Sequence, residues 1–214
     1  MKVAIWDVPT RLFHWTLAAL IAFSWWSAEY HYDDLHIWSG LGIMSLLIFR
    51  ILWGFFGSST ARFASFVRGP KAVFGYLRGS WRGIGHNPLG GLSVIALLVM
   101  TCVQVGLGLF ASDEDGIMQG PLARLVSIDA GDLAREWHEA LFNVLLALIA
   151  LHVAAIAYYK FRGKSLLKPM ITGRGAVQPG VEPMRPGKWW AALLCLVAGI
   201  AITRWVIAGA PPFS

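Results

Sequence analysis

Five long apolar segments limit how this sequence can fold more than any other feature. Hydrophobic residues make up 57% of the chain and charged residues only 14%, whereas soluble domains carry about 25% charged residues. A helix needs about 20 apolar residues to cross a bilayer, and no long polar domain separates the five segments. We therefore predict an all-α integral membrane protein with helices at Leu12–Ala28, His36–Phe56, Leu89–Phe110, Trp137–Tyr159 and Trp189–Ala208.

The basic residues predict how these helices are oriented. Loops rich in Lys and Arg stay in the cytoplasm, so we expect a multi-pass membrane protein with a cytoplasmic N-terminus and its C-terminus on the outer side. The net charge of +6 follows from this topology, and we expect no nucleic-acid binding. The basic residues at the N-terminus and in the loops after the second and fourth helices are Lys2, Arg11, Arg62, Arg68, Lys71, Arg78, Arg82, Lys160, Arg162, Lys164, Lys168, Arg174, Arg185 and Lys188.

Acidic residues concentrate on the opposite, outer side. Two interpretations remain open: the carboxylates keep the outer loops hydrated, or they steer a basic soluble partner to that face. The residues are Glu29, Asp33, Asp34, Asp113, Glu114, Asp115, Asp129, Asp132, Glu136 and Glu139.

Four histidines fall into two layers when the predicted topology assigns each a depth. His36 and His138 belong to the outer layer, and His14 and His152 to the inner one. Each layer combines one histidine of the fourth helix with one from another helix, as a cofactor ligated by two histidines requires. A single intramembrane histidine is often a hydrogen-bonded packing residue, but two depth-matched pairs favour ligation.

The spacing within the fourth helix points to two separate cofactors. Fourteen residues turn about 1400° and rise about 21 Å, so His138 and His152 share a helix face but cannot share a metal ion. Haem fits, because it accepts neutral histidine as an axial ligand. No Cys-x-x-Cys-His motif is present, so two non-covalent b haems are predicted. Gly40, four residues after His36, leaves space for a flat ring.

Other polar residues allow more than one interpretation. His31, in the outer turn, competes with His36 as the outer ligand. His86 suits a helix cap region beside Asn87, with the inner haem propionates or a quinone headgroup as alternative contacts. Arg11 and Arg50 either bind haem propionates or extend to the cytoplasmic interface as snorkelling residues.

Several motifs carry a family resemblance that covers most of residues 6–160. They are WDVPTRLFHW at Trp6–Trp15, HIWSGLGIMSLLIFRILWGFFG at His36–Gly57, ARFASFVRGP at Ala61–Pro70, HNPLGGL at His86–Leu92, and the fourth helix with its two histidines. The sequence resembles the prokaryotic cytochrome b561 family, especially the branch near the b-type cytochrome subunits of nickel–iron hydrogenases. The resemblance implies a four-helix core with two b haems, ligated by the same histidine pairs, in the bacterial inner membrane.

The resemblance also implies a function. Electrons would move between the membrane quinone pool and a periplasmic partner, such as a hydrogenase or a c-type cytochrome. Two other classes remain open: a haem-containing membrane anchor of a larger redox complex, and a free-standing quinone oxidoreductase acting on a small molecule such as superoxide. Whether the protein is an enzyme in its own right, and whether it forms a homodimer or joins a larger complex, stays undecided.

The C-terminal region departs from the family pattern by adding a fifth helix. We expect residues 1–164 to form the dihaem domain, residues 165–188 a basic Pro/Gly-rich cytoplasmic linker, and residues 189–214 the fifth helix with the periplasmic C-terminus. Because the fifth helix contains no histidine, we expect it to serve packing or partner docking.

Overall fold

The computed structural model describes residues 2–113, 119–177 and 180–212. Glu114 and Asp115 of the predicted outer acidic set lie outside the described residues, as do Phe213 and Ser214 of the C-terminus. In chain order, the secondary structure elements are β1 (Lys2–Ala4), α1 (Val8–Glu29), α2 (Asp33–Phe56), α3 (Phe63–Phe66), α4 (Pro70–Leu77), α5 (Pro88–Phe110), a 3-10 turn (Ala123–Leu125), α6 (Ile128–Phe161), α7 (Leu167–Thr172), β2 (Arg174–Ala176) and α8 (Trp189–Ile207).

The predicted helical membrane fold is confirmed in its main part. Four of the described helices, α2, α5, α6 and α8, are long and apolar enough to cross a membrane. Helix α1 has 22 residues but is not among the four, because Ser, Thr, Trp and His side chains lower its mean hydropathy. A crossing by α1 and the cytoplasmic N-terminus therefore remain predictions.

Two side-chain caps set the starts of α1 and α5. The Asp7 carboxylate accepts a hydrogen bond from the Thr10 backbone N–H at 2.6 Å. The predicted Asn87 cap is confirmed, since its side-chain oxygen accepts from the Gly90 N–H at 2.8 Å and Pro88 occupies the first helical position. Each cap satisfies an N–H group that has no partner within the helix.

Helix α6 begins at Ile128, nine residues before the predicted Trp137. Its extra turns are polar and so fall outside an apolar pattern. Ion pairs one turn apart support them: Arg135 lies 2.7 Å from Asp132 and 2.9 Å from Glu139. Such i,i+3 and i,i+4 pairs stabilise an exposed helix surface.

The described chain divides into two compact units. The first unit comprises Met1–His14, Arg50–Leu97 and Leu148–Cys195, and the second comprises Trp15–Phe49, Leu98–Ala147 and Leu196–Ser214. In the first unit, β1 pairs antiparallel with β2, with Val3 opposite Gly175. Each strand has only three residues and pairs across most of the sequence, so no local pattern indicated this sheet in a protein predicted to be all-α.

The predicted linker is folded onto the first unit. It contains α7 and β2, and Met170 and Val177 pack against a core of Val3, Ile5 and Trp6. Further along, the Met184 N–H donates to the Ala4 carbonyl at 3.1 Å, and the Arg185 N–H donates to the Ser59 hydroxyl at 2.9 Å.

Helix α8 is packed into the second unit. The Ser45 hydroxyl donates to the Thr203 hydroxyl at 2.8 Å. Gly199 fits so closely that an added Cβ would lie 2.5 Å from the Ser45 carbonyl oxygen. Small residues that let helix backbones approach are a common packing device in membranes. Helix α8 therefore packs closely against α2 at Ser45, and its role in the protein stays a prediction.

Candidate haem-binding sites

In the second unit, the structure brings together the two histidines predicted for the outer layer. His36 lies in the first turn of α2, and His138 lies in α6. Their ring centroids are 5.8 Å apart and the rings are perpendicular. Metal–imidazole bonds are about 2 Å long, so this separation is close to what two imidazoles on opposite sides of one metal ion need.

Both rings are oriented by backbone carbonyls. The Nδ1 atom of His36 lies 2.9 Å from the Ser24 carbonyl oxygen, and the Nδ1 atom of His138 lies 2.9 Å from that of Gln104. A carbonyl can only accept, so each Nδ1 carries the proton and donates it. In a neutral ring this leaves the Nε2 lone pair for a metal, the arrangement that metal-ligating histidines usually adopt.

Glycines leave room around this pair. An added Cβ at Gly108 would lie 3.0 Å from Cε1 of His138, so the ring packs tightly against the position that a larger residue's Cβ would occupy. An added Cβ at Gly40 would meet no described atom within 4 Å. The open side at Gly40 is where a flat apolar ring system would fit.

The competing histidine, His31, lies elsewhere. It is exposed in the turn after α1 and has a positive φ of 57°. Of the two, His36 is the one that lies beside His138.

In the first unit, His14 and His152 lie close enough to interact electrostatically. A third histidine, His86, interacts with both. Its ring is packed between Trp6 and Phe66, at centroid distances of 4.5 Å and 4.7 Å. Burial, and then the charges of Arg50, His152 and His14, lower the pKa of His86 to about 3. His86 is therefore neutral at physiological pH.

Arg50 is a buried cation without a bound carboxylate. It is 2% exposed, and its guanidinium carbon lies 5.0 Å from the Phe63 ring centroid and 5.9 Å from that of Phe66. Among the described residues, its Nη1 has no hydrogen-bond partner. Asp7 interacts with it electrostatically, but the two Asp7 oxygens accept hydrogen bonds from the Thr10 N–H and the Trp53 indole.

The position of Arg50 argues for an anionic ligand. A snorkelling arginine extends its charged group to water, and this one does not. Asp7 offsets part of this charge electrostatically, but no described carboxylate forms an ion pair with Arg50. Because a buried charge needs a close partner to offset its lost hydration, the site is suited to an anion such as a carboxylate. The Nδ1 atom of His86 is likewise buried without a partner among the described residues, and it can serve the same anion.

Arg11, the other predicted propionate ligand, contacts the backbone instead. Its Nη1 donates to the Ile171 carbonyl at 2.5 Å, which ties α1 to α7. Its Nε is buried and has no partner among the described residues. The Nη1 group of Arg11 therefore stabilises the contact between α1 and α7.

A polar network lies beside the first-unit histidines. The Asn87 amide donates to the Tyr76 hydroxyl at 3.2 Å, and the Tyr76 and Tyr159 hydroxyls are hydrogen-bonded to each other. Burial, followed by this hydrogen bond, raises the pKa of Tyr76. The network joins α4, the start of α5 and the end of α6.

A model of one protein family matches most of the chain. It is described as prokaryotic cytochrome b561 and matches residues 5–173. The chain belongs to the prokaryotic cytochrome b561 family. No curated protein matches the chain, and no solved structure does. The matched range includes all four candidate ligands and ends before α8.

Membership of the cytochrome b561 family establishes the broad function. The protein is a multi-pass membrane protein that binds b-type haem and takes part in electron transfer. The likeness to hydrogenase cytochrome subunits remains a prediction. In the second unit, His36 and His138 with their protons on Nδ1, and the open space at Gly40, fit a b haem. In the first unit, the buried cation of Arg50 fits a propionate.

Sequence reasoning missed the residues that orient the histidines. Ser24 and Gln104 act through backbone carbonyls, which no side-chain pattern reveals. Gln104 nevertheless carries a signal, because it is an amide within an apolar helix, and its side chain donates to the His138 carbonyl at 2.6 Å. Gly108 lies four residues later in the same helix as other glycines, and the sequence does not indicate that it is the one beside His138.

Proposed function

We propose that this cytochrome b561 carries two b haems and transfers electrons between the membrane quinone pool and a periplasmic redox protein. One haem would be ligated by His36 and His138, the other by His14 and His152. The observation that carries the proposal is the perpendicular His36–His138 pair, with both Nδ1 atoms bound to carbonyls.

A bound b haem supplies a one-electron carrier, and the protein supplies position and potential. The carbonyls of Ser24 and Gln104 fix both rings in the tautomer that can ligate iron. Helix α6 provides one ligand to each site, and its 14-residue spacing corresponds to a rise of about 21 Å.

At the second proposed haem, Arg50 and His86 would hold a propionate. The propionate would give Arg50 a directly bound anion, which no described residue supplies, through charge-assisted hydrogen bonds. A positive charge beside a haem favours the reduced form, so Arg50 would raise the potential of the haem ligated by His14 and His152.

The charges of the two units support the proposed membrane orientation. In the described part of the second unit, eight acidic residues accompany three basic ones, whereas the first unit has fifteen basic residues and only Asp7 and Glu182 as acids. An excess of Lys and Arg marks the cytoplasmic side. We therefore place the His14–His152 site on the cytoplasmic side of the inner membrane.

The second unit would receive the soluble partner. Arg135 neutralises part of the acidic charge through Asp132 and Glu139, which leaves Glu29, Asp34, Asp129 and Glu136 exposed. Such a surface attracts a basic protein and accelerates its association at low salt. A c-type cytochrome or a hydrogenase subunit with a basic face would suit it.

Reconstituted vesicles test this function. Purified protein in liposomes would receive duroquinol as the electron donor and ferricyanide, which does not cross the bilayer, as the acceptor. We expect duroquinol to reduce the haem, and we expect ferricyanide-dependent turnover that liposomes without the protein lack. Failure of duroquinol to reduce either haem would contradict the quinone link, and haem reduction without turnover would favour the membrane-anchor alternative. Faster haem reduction by superoxide as the electron donor than by duroquinol would favour the small-molecule alternative.

A further inference from the structure

A groove of about 330 Å³ lies in the first unit, between the end of α6 and α7. Four apolar side chains and two lysines line most of it: Ile156, Leu166, Leu167, Ile171, Lys160 and Lys168. The apolar residues are not closed off by the rest of the protein, since Leu166, Leu167 and Ile171 are 41%, 43% and 56% exposed.

The lysines in this groove have no counter-charge. Among the described residues, no carboxylate forms an ion pair with Lys160 or Lys168. The acids described in the first unit, Asp7 and Glu182, do not line the groove. The groove therefore combines an apolar surface with two unneutralised ammonium groups.

The two hydroxyls in the groove are already used by its own backbone. The Ser165 hydroxyl accepts from the Lys168 N–H at 3.3 Å, and the Thr172 hydroxyl donates to the Lys168 carbonyl at 2.9 Å. Recognition of a polar ligand thus falls to the lysines. A lysine ammonium is a compact point charge suited to phosphate.

We propose that this groove binds an anionic phospholipid of the cytoplasmic leaflet. Its phosphate would lie between Lys160 and Lys168, and its acyl chain against Ile156, Leu167 and Ile171. Basic pockets at this side of a membrane protein bind anionic headgroups. An uncharged quinone would leave both lysines without a counter-charge.

The bound lipid would brace the segment that follows α6. Ile171 lines the groove with its side chain, while its carbonyl accepts from Arg11. A lipid in the groove would therefore contact α6 and α7 at once, through a residue that Arg11 already ties to α1. The inference rests on the proposed orientation of the first unit but not on quinone chemistry.

Native mass spectrometry of the detergent-purified, haem-loaded chain tests the proposal. Dioleoyl phosphatidylglycerol and dioleoyl phosphatidylcholine carry the same acyl chains and differ in headgroup charge. The test variant is Lys160→Gln with Lys168→Gln. The matched control is Arg162→Gln with Lys164→Gln, which removes the same charge from neighbouring positions outside the groove lining.

We expect the wild type and the control to bind phosphatidylglycerol in preference to phosphatidylcholine, and the test variant to bind it about tenfold more weakly. Equal binding of the two lipids, equal weakening in the control, or displacement of phosphatidylglycerol by duroquinone would overturn the proposal. The haem spectra of the variants are recorded as well. Loss of lipid binding with unchanged haem spectra shows that the lipid site is separate from the proposed electron transfer. If the double variant does not fold, Lys168→Gln alone is compared with Lys164→Gln.

Discussion

His36 and His138 lie with their rings perpendicular and their centroids 5.8 Å apart, and each donates its Nδ1 proton to a backbone carbonyl. Two histidines packed only for stability would not need matching tautomers. The shared arrangement leaves both Nε2 atoms without a proton, which is the form that an axial haem ligand takes. This relationship is the strongest structural support for the haem assignment in the second unit.

Gly108→Ala is expected to reduce haem binding in the second unit. The new Cβ would lie 3.0 Å from Cε1 of His138, so the ring must shift by a few tenths of an ångström, which disturbs its position relative to His36. We expect total haem per chain to fall by up to about half, as measured by the pyridine haemochrome assay. Gly69→Ala is the control, because its Cβ meets no described atom within 4 Å and its φ is negative. Equal haem contents in the two variants would contradict the steric argument.

His36→Ala and His31→Ala distinguish the two candidate ligands. We expect His36→Ala to lose about half of the haem and His31→Ala to keep all of it, because His31 is exposed in a turn. Low-spin haem signals in electron paramagnetic resonance spectra would show which site remains. The assignment is wrong if the His31 variant loses haem and the His36 variant does not.

The sequence predicts the apolar helices and the proximity of His36 to His138, while ligation of haem by the four histidines stays a prediction. Apolar runs locate α2, α5, α6 and α8, and helical spacing relates His138 to His152. The same approach misses the polar turns of α6 before Trp137, because charged residues carry no membrane signal. It also misses β1 and β2, whose pairing joins Val3 to Gly175 across most of the chain. The carbonyls that orient His36 and His138 belong to other helices, so only the three-dimensional structure identifies them.

Arg50→Gln is expected to lower the midpoint potential of one haem. Removal of a buried positive charge destabilises the reduced form, and we expect a decrease on the order of 60 mV, a tenfold change for a one-electron couple. Potentiometric titration of the haem absorbance measures it. Arg50→Lys retains the charge and should give a smaller decrease. Arg62→Gln serves as the control, because Arg62 is exposed and water screens its charge. Equal shifts of both haems would contradict a local propionate contact.

Ser45→Ala and Thr203→Ala test how α8 is held. The hydroxyl pair at 2.8 Å joins α8 to α2, and hydrogen bonds between membrane helices contribute about 0.6 kcal/mol on average. We expect the double-mutant cycle to give a coupling free energy of that size, measured by unfolding in mixed detergent. A coupling free energy of zero would mean that the pair does not stabilise the contact, and that Gly199 alone accounts for the close packing.

The account depends most directly on two haems that share α6. The deciding measurement is the dithionite-reduced minus oxidised spectrum, with haem quantitation, of the wild type, His138→Ala and His152→Ala. We predict two b haems per wild-type chain and the loss of a different one in each variant, seen as different residual spectra and potentials. A haem-free wild type, or the same residual haem in both variants, would contradict the account.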